Sequence, residues 1–387
     1  MAKCKGPLMS LGASGTVGRV LTFSRRSSGQ QVRFQKKPSA LETPARLVQR
    51  NKISVALQFW RFLTRHDHFL WSVFAQLTSL TSCCLFVKKF LSSQYFYCAG
   101  SDDGRVWKIN RDTMAVSSFS PYLDNYLVAL FSDDQYVYAA GYSTHKIYKL
   151  DILTMSLVSS SAVYSGEIGA MCGDEEYLYF STDDDNCIHK MRKSDLLEVA
   201  ISTPYDGFIF AIYQDENYIF CGGDLPYTIF KFNKSDLSKI SESVSFAGPI
   251  HSIVGDQSAL YVAGLYVPYI KKYLKSNLSY SSRTTDSIGG CFCVQQDIEY
   301  IYFGSTANGN LYKCRKSDMV RIKVINSYGD YYSIATIDDS HFYIASDTTQ
   351  SIQKVSLFDL SFVGEPLAFG YQINALDFRF SAGKSGL

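Results

Sequence analysis

Residues 168–202 read IGAMCGDEEYLYFSTDDDNCIHKMRKSDLLEVAIS. Four short runs stand out: IGAMCG (168–173), YLYFST (177–182), CIHKMR (187–192) and LLEVAIS (196–202), separated by Asp, Glu, Asn and Ser. Short runs rich in Ile, Val, Tyr and Phe and bounded by such residues predict strands, designated here a, b, c and d. Asp174 falls in the a–b turn and Asp195 in the c–d turn, where an Asx side chain bonds nearby backbone amides. Asp236, Asn277 and Asp318 fall in the c–d turns of later copies.

The pattern recurs at a fixed distance. Strands GRVWKIN, HKIYKLD, NCIHKMR, YTIFKFN, PYIKKYL, GNLYKCR and QSIQKVS carry Lys108, Lys149, Lys190, Lys231, Lys272, Lys313 and Lys354, each forty-one positions after the one before. Asp133, Asp174, Asp215, Asp256, Asp297 and Asp338 keep the same interval. Four strands repeated every forty-odd residues are the signature of β-propeller blades. The expected fold is therefore an all-β, seven-bladed propeller over residues 84–380, with a short tail at 381–387, and its repeats resemble those of WD40 and YVTN propellers.

A small residue recurs inside strand a as Ala129, Ala170, Ala211, Ser252 and Cys293, as expected where seven strands crowd a central channel; Ile334 breaks the rule. Projecting the period forward predicts an eighth strand a at 373–378, with Ala375 in the small column. Projecting it backward lands on FVKKFL (86–91), with Lys88 in that column, a poor fit. The last strand is therefore expected to complete the first blade and remove both open edges of the ring. Strands a and c run the same way, so each aspartate and lysine should meet at one end of a blade, roughly 9–10 Å apart across two strands. The lysine is expected to reach its own blade's aspartate or a neighbour's, in a ring of exposed structural ion pairs worth about 0–1 kcal/mol each.

What precedes the repeats is different. Residues 1–66 hold thirteen Lys/Arg against one acid, Glu42, a balance of +12, whereas the remainder of the chain carries 25 bases and 35 acids, a balance of −10. A basic arm on an acidic body points to docking on an acidic protein surface, with nucleic acid as the second reading. Alternation on either side of Ser27-Ser28-Gly29 predicts a hairpin over 17–36. Thr43-Pro44 opens a helix at about 44–64, and a second is expected at about 68–82, giving an N-terminal module of residues 1–83. The uncharged run 69–87 approaches bilayer-spanning length, but Gln76 and several Ser/Thr residues dilute it, and it reads as a packed helix and strand.

The stretch LGASGTVGRVLTFSRR (11–26) is glycine-rich without being a phosphate loop. Counted from Gly12, a P-loop needs glycine where Val17 stands and then a lysine, which is absent; the spacing also fails the dinucleotide pattern. Taken in order, Ser14, Gly15, Gly18, VLTFSRR (20–26) with Arg25 and Arg26, Val32-Arg33, Thr43-Pro44-Ala45, Gln49-Arg50, Trp60, Leu63-Thr64 and Trp71 resemble the N-terminal region of a group of tailed-bacteriophage virion proteins. The resemblance covers about residues 6–75 and departs at Arg65-His66-Asp67-His68. It implies a virion-anchoring module joined to other virion structural proteins at capsid, neck or tail, and it brings no catalytic residues.

Six scattered histidines lack metal-ligand spacing. Asp102-Asp103 and Asp183-Asp184-Asp185 lack the full ligand pattern of a calcium loop. Neither a Ser/His/Asp order nor a paired-glutamate motif is present, which reads against an enzyme and calls for no cofactor or metal. The cysteines follow no CxxC spacing, several fall within strands, and a reduced, intracellular site of synthesis is expected. The d–a and b–c loops emerge on one face and carry Tyr122, Tyr142, Tyr164, Tyr205, Tyr227, Tyr266, Tyr269, Tyr328, Tyr331 and Tyr371 among Gly, Ser, Asp and Asn. That mixture suits adaptable protein or glycan recognition. The expectation is a non-enzymatic virion component with a displayed binding propeller. The alternative is a cytoplasmic scaffold with a nucleic-acid-binding arm.

Overall fold

In a computed structural model the chain divides into two compact units, Met1–Gln94 and Tyr95–Leu387. The described residues are 15–17, 21–26, 29–34, 83, 95–285, 289–297, 299–325, 332–337, 341–346 and 348–377. In the first unit, Gly15–Val17, Leu21–Arg26 and Gly29–Phe34 form a three-stranded antiparallel sheet in that order. Arg26 pairs with Gly29, so the expected hairpin is present with an added strand. The expected helices at 44–64 and 68–82, and the apolar run 69–87 apart from Cys83, lie outside the described residues.

The second unit is the seven-bladed propeller: seven antiparallel sheets of four strands each. Blade 3 is Ile168–Gly173, Tyr177–Thr182, Ile188–Arg192 and Leu197–Ile201, matching the four runs of the opening stretch. Blade 1 takes strands b to d from Tyr95–Gly100, Val106–Asn110 and Val116–Phe119, and its strand a from Ile373–Asp377. Leu376 pairs with Cys98 and Asp377 with Tyr97, so the C-terminal strand closes the ring.

Burial follows distance from the axis. Strands b are buried on both faces because each sheet packs between two others: one core cluster joins Tyr138, Ala140 and Ile147 of blade 2 to Ile168, Leu178, Phe180 and Met191 of blade 3. Strands d form the rim and are exposed, as in Leu157–Ser160 and Leu197–Ile201. Strands a carry a repeated register shift. Ile209 pairs with Gly223 and Ala211 with Gly222, leaving Phe210 as the extra residue of a β-bulge. The same shift leaves Val128, His251, Ser333 and Asn374 unpaired. A bulge of this kind re-aims the extra side chain.

The lysine column corrects the sequence expectation. The side chains of Lys108, Lys149, Lys190, Lys231 and Lys354 are buried, not exposed, and the ammoniums of Lys108, Lys149, Lys190 and Lys231 bond to backbone carbonyls and not to the column aspartates among the described residues. Each ammonium of the column crosses to the next blade and donates to the carbonyl 44 residues on: Lys108 to Ile152, Lys149 to Lys193, Lys190 to Lys234, Lys231 to Lys275, Lys272 to Lys316 and Lys313 to Leu357, at 2.7–3.0 Å. Lys354 makes the seventh bond, 2.7 Å to Arg111 of blade 1, which closes the circle. Five of these ammoniums also sit 3.9–4.5 Å from the ring centre of the tyrosine that opens their own strand b (Tyr95, Tyr136, Tyr177, Tyr218 and Tyr300). Burial depresses the basicity of Lys149, Lys190 and Lys231, and nearby aspartates partly restore it.

The aspartates bond to a second lysine series at the start of the c–d turns. Lys193 reaches Asp133 at 2.6 Å, Lys234 reaches Asp174 at 3.0 Å, Lys275 reaches Asp215 at 3.2 Å and Lys316 reaches Asp256 at 3.7 Å, each from one blade back to the one before. The other carboxylate oxygen of Asp133 accepts the turn amides of Gln135 and Tyr136, the expected Asx role, repeated at Asp174, Asp215, Asp256 and Asp297. Burial opposes the charge on Asp133, but the bond and charge of Lys193 outweigh it and hold the carboxyl below the usual range. Asp338 lies outside the described residues.

Candidate functional site at the loop face and channel mouth

The lysine–aspartate ring occupies the end formed by the a–b and c–d turns. The opposite end, made of d–a and b–c loops, is braced differently from blade to blade. Asp124, buried in the first d–a loop, accepts amides of Tyr126, Ser143 and Thr144 at 2.8–3.2 Å, which ties blade 2's b–c loop to it. Trp107 and Tyr371 both donate to Asp103, the latter at 3.0 Å. At the position equivalent to Trp107, His189 lies between Glu198 (2.6 Å) and Asp185 (3.1 Å), stacked on Phe180. Asp183 accepts the Glu167 amide, and Asp185 also accepts Thr182 and the Cys187 amide. The carboxylates of Asp103, Asp183 and Asp185 are thus engaged with amides and side chains of their own and neighbouring loops. Among the described residues no group of three or more His, Cys, Asp or Glu is placed to hold a metal ion.

The expected tyrosine face is only partly a surface. Tyr122, Tyr142 and Tyr266 are exposed, Tyr266 at 85%. Tyr227 and Tyr269 are half-buried, with the Arg283 guanidinium 3.9 Å from the Tyr269 ring centre. Tyr164 packs between blades, 4.9 Å from Phe180 and 5.4 Å from His189. Tyr371 is half-buried on Asp103. Tyr205 is a correction: it is wholly buried, its hydroxyl donating to Thr228 O at 2.6 Å and accepting from the Gly223 amide at 3.1 Å. A buried phenol needs such partners, and here they lock blade 4 internally. Tyr328 and Tyr331 lie outside the described residues. Of the anchor residues, Gly15, Arg25, Arg26 and Arg33 lie on the three-stranded sheet, while Gly18, Arg50, Trp60 and Trp71 fall outside the described residues.

The structure adds a site that the tyrosine reading missed. The small column does line the axial channel, where Ala129, Ala170, Ala211 and Ala375 surround a cavity of about 270 Å³. The bulged residues line it too, and they differ around the ring: Val128, Gly169 and Asn374 on one side, Phe210 and His251 on the other. Phe210 and His251 stack nearly parallel, 4° apart with centres 4.8 Å apart, and Phe292 meets His251 edge-on at 5.0 Å. Phe208, in the preceding d–a loop, continues the stack at 6.2 Å and 8°. Both phenylalanines of the stack remain open to solvent, Phe208 at 46% and Phe210 at 37%.

The backbone holds Phe208 in place. A Cβ on Gly207 would come within 2.1 Å of Leu225 O, and one on Gly223 within 1.7 Å of Phe208 O. Only glycine permits both approaches. Burial lowers the His251 pKa to about 4, against a smaller opposing pull from Asp224, so the imidazole is neutral at pH 7. Among the described residues no hydrogen bond reaches its ring nitrogens, and no charged side chain lines the cavity. A signal for this wall existed in the sequence, one column from the small residues: positions 128, 169, 210, 251, 292, 333 and 374 hold Val, Gly, Phe, His, Phe, Ser and Asn.

No protein-family model matches the chain, and no curated protein matches it. Among solved structures, it is similar to the crystal structure of the computationally designed Ika8 protein, with 12% identity and a TM-score of 0.55 over 64% of this chain and 76% of that one. At that identity the likeness is one of fold.

Proposed function

We propose that the chain is a non-enzymatic structural component of a tailed-phage particle, attached to capsid, neck or tail through residues 1–83 and displaying the propeller's loop face for binding to a host-surface protein or glycan. The observation that carries the reading is the uneven placing of exposed aromatic rings. Tyr122, Tyr142, Tyr266, Phe208 and Phe210 all open to solvent on the loop face, whereas at the turn face lysines cover the tyrosines that open strands b and the exposed ring among the described residues is Phe358 in the last c–d turn. Large rings with few rotatable bonds lose little entropy on binding, and a fold does not keep them in water for its own stability. The charge split and the ordered matches between Ser14 and Trp71 support attachment through the arm.

Mass spectrometry of purified particles from cells expressing the full chain tests this directly. The protein should co-purify with the particle, and reversing the charge of Arg25, Arg26, Arg33 and Arg50 should release it. Its absence from particles would end the virion reading. The +12 arm favours one other reading, a cytoplasmic scaffold bound to nucleic acid. That reading requires DNA affinity of the full chain to fall steeply with salt.

A further inference from the structure

We infer that the mouth of the axial channel is a saccharide site, in which an uncharged sugar ring packs its apolar face against the solvent-exposed parts of Phe208 and Phe210 and presents its hydroxyl edge to His251 and Asn374. This rests on the reading of the loop face as a binding surface and names the ligand class of one place on it. The chemistry of the walls excludes two other classes of ligand. An anion entering the cavity would be desolvated with no cation among the described lining residues to receive it, and the nearby Asp224 carboxylate adds repulsion. A wholly apolar ligand, such as a partner's phenylalanine, would cover the imidazole nitrogens and the Asn374 carboxamide without bonding them, a costly exchange.

A sugar ring matches both walls. Its axial C–H groups carry slight positive charge and suit the electron-rich face of an aromatic ring, while its hydroxyls both donate and accept. Neutral imidazole offers one donor and one acceptor. Asn374 donates one amide hydrogen to Leu127 O at 3.2 Å, which fixes the side chain in orientation beside the cavity. The cavity volume of about 270 Å³ leaves room for one ring. Sites for drug-sized ligands begin at roughly 300 Å³. The site is therefore suited to the end of a chain, entered from the loop face. Gly169, on the open wall, leaves the space that any side chain there would fill.

The test uses the full chain with methyl glycosides of glucose, galactose and N-acetylglucosamine, followed by calorimetry and saturation-transfer NMR. Glucosamine and glucose 6-phosphate serve as charged controls. At least one neutral glycoside should bind with a Kd on the order of 1 mM, typical for so few atoms, with saturation transfer strongest at its ring C–H protons. Phe210→Ala should weaken binding at least tenfold, and Gly169→Leu should abolish it by filling the mouth. A Cβ at Gly169 would lie 3.1 Å from Ile209 O and 3.5 Å from Ser181 Oγ, so the Ile209 carbonyl must yield by a few tenths of an ångström, and unchanged thermal melting of that variant separates blocking from unfolding. Binding that survives both substitutions, equal binding of a charged control, or binding of none of the glycosides overturns the inference. Host-cell binding by the full chain that persists in Phe210→Ala would remove this site while leaving the loop-face reading intact. Loss of cell binding from the unsubstituted chain would remove both.

Discussion

The two ends of the propeller obey different rules. At the turn end, one bond repeats around the whole ring at a sequence distance of 44, and the step from Lys354 to Arg111 joins the last blade to the first. At the loop end, equivalent positions hold different residues in almost every blade: the column that contains Phe208 reads Tyr126, Glu167, Phe208, Pro249, Gly290, Tyr331 and Gln372. Ring geometry demands sevenfold regularity wherever a contact carries blade-to-blade packing. Where a column abandons regularity, ring closure no longer constrains it, and another requirement has freedom to act.

The strongest way to break this comparison is to find a loop-face residue that behaves like a packing residue, and Tyr205 is one. Tyr205→Ala should cost about 3–5 kcal/mol, since it empties a large buried volume and strands Thr228 O. Tyr266→Ala, at an equally prominent loop position, should stay within about 0.5 kcal/mol. Urea midpoints of the two variants measure the difference, and similar values would mean that the loop face is not divided into packing and display residues.

The second test is by pH. His251 has a folded pKa of about 4, below its ordinary value of 6.5. Between those values the unfolded chain binds the proton and the folded chain does not, so stability is present above about pH 6.5 and falls as the pH drops toward about 4. Discounted for partial exposure, the loss is about 2 kcal/mol, and His251→Phe, which keeps a ring in the stack, should remove it. Asp133, Asp174 and Asp256 are also held low. Their contribution begins to be lost only below about pH 4, as the pH falls through their folded values. Stability curves recorded near neutrality and at two mildly acidic values above that limit therefore isolate the channel-mouth histidine from the turn-end aspartates.

The fold was legible because repetition made it so. The constant interval from Lys108 to Lys354 announced seven blades, and Ala375 in the small column announced which strand would close them. The chemistry of that interval was not legible. Strand period and sheet spacing place Lys149 near Asp133, but they do not say that the side chain is buried or that it prefers a carbonyl of the next blade; both depend on how sheets pack face to face. The channel wall was missed for a related reason. Phe210, His251 and Asn374 line the cavity through a β-bulge, and a bulge leaves the strand's apolar alternation looking ordinary. Tyr205 and Tyr266 were likewise indistinguishable in composition, since both are loop tyrosines and only the approach of Thr228 and Gly223 buries one of them.

The turn end sharpens the comparison by a smaller effect. In Lys231→Met the Lys275 carbonyl loses its donor. The expected cost is about 1–2 kcal/mol. The same substitution at Lys149 or Lys354 should cost a similar amount, because the three bonds are equivalent around the ring. Denaturant midpoints that differ widely among the three would show that the ring closes at a privileged blade and not by equal stitches.

The smallest effect is the most diagnostic. Phe208→Ser removes an exposed ring whose backbone is already fixed by Gly207 and Gly223. Stability should therefore change by no more than about 0.5 kcal/mol. A residue kept by packing would not be so cheap to lose. If the melting temperature of Phe208→Ser equals that of the unsubstituted chain, the ring is not held by the needs of the fold. A drop comparable to that of Tyr205→Ala would instead make the Phe208–Phe210–His251 stack a piece of core that happens to reach the surface, and the contrast between the two ends would lose its functional meaning.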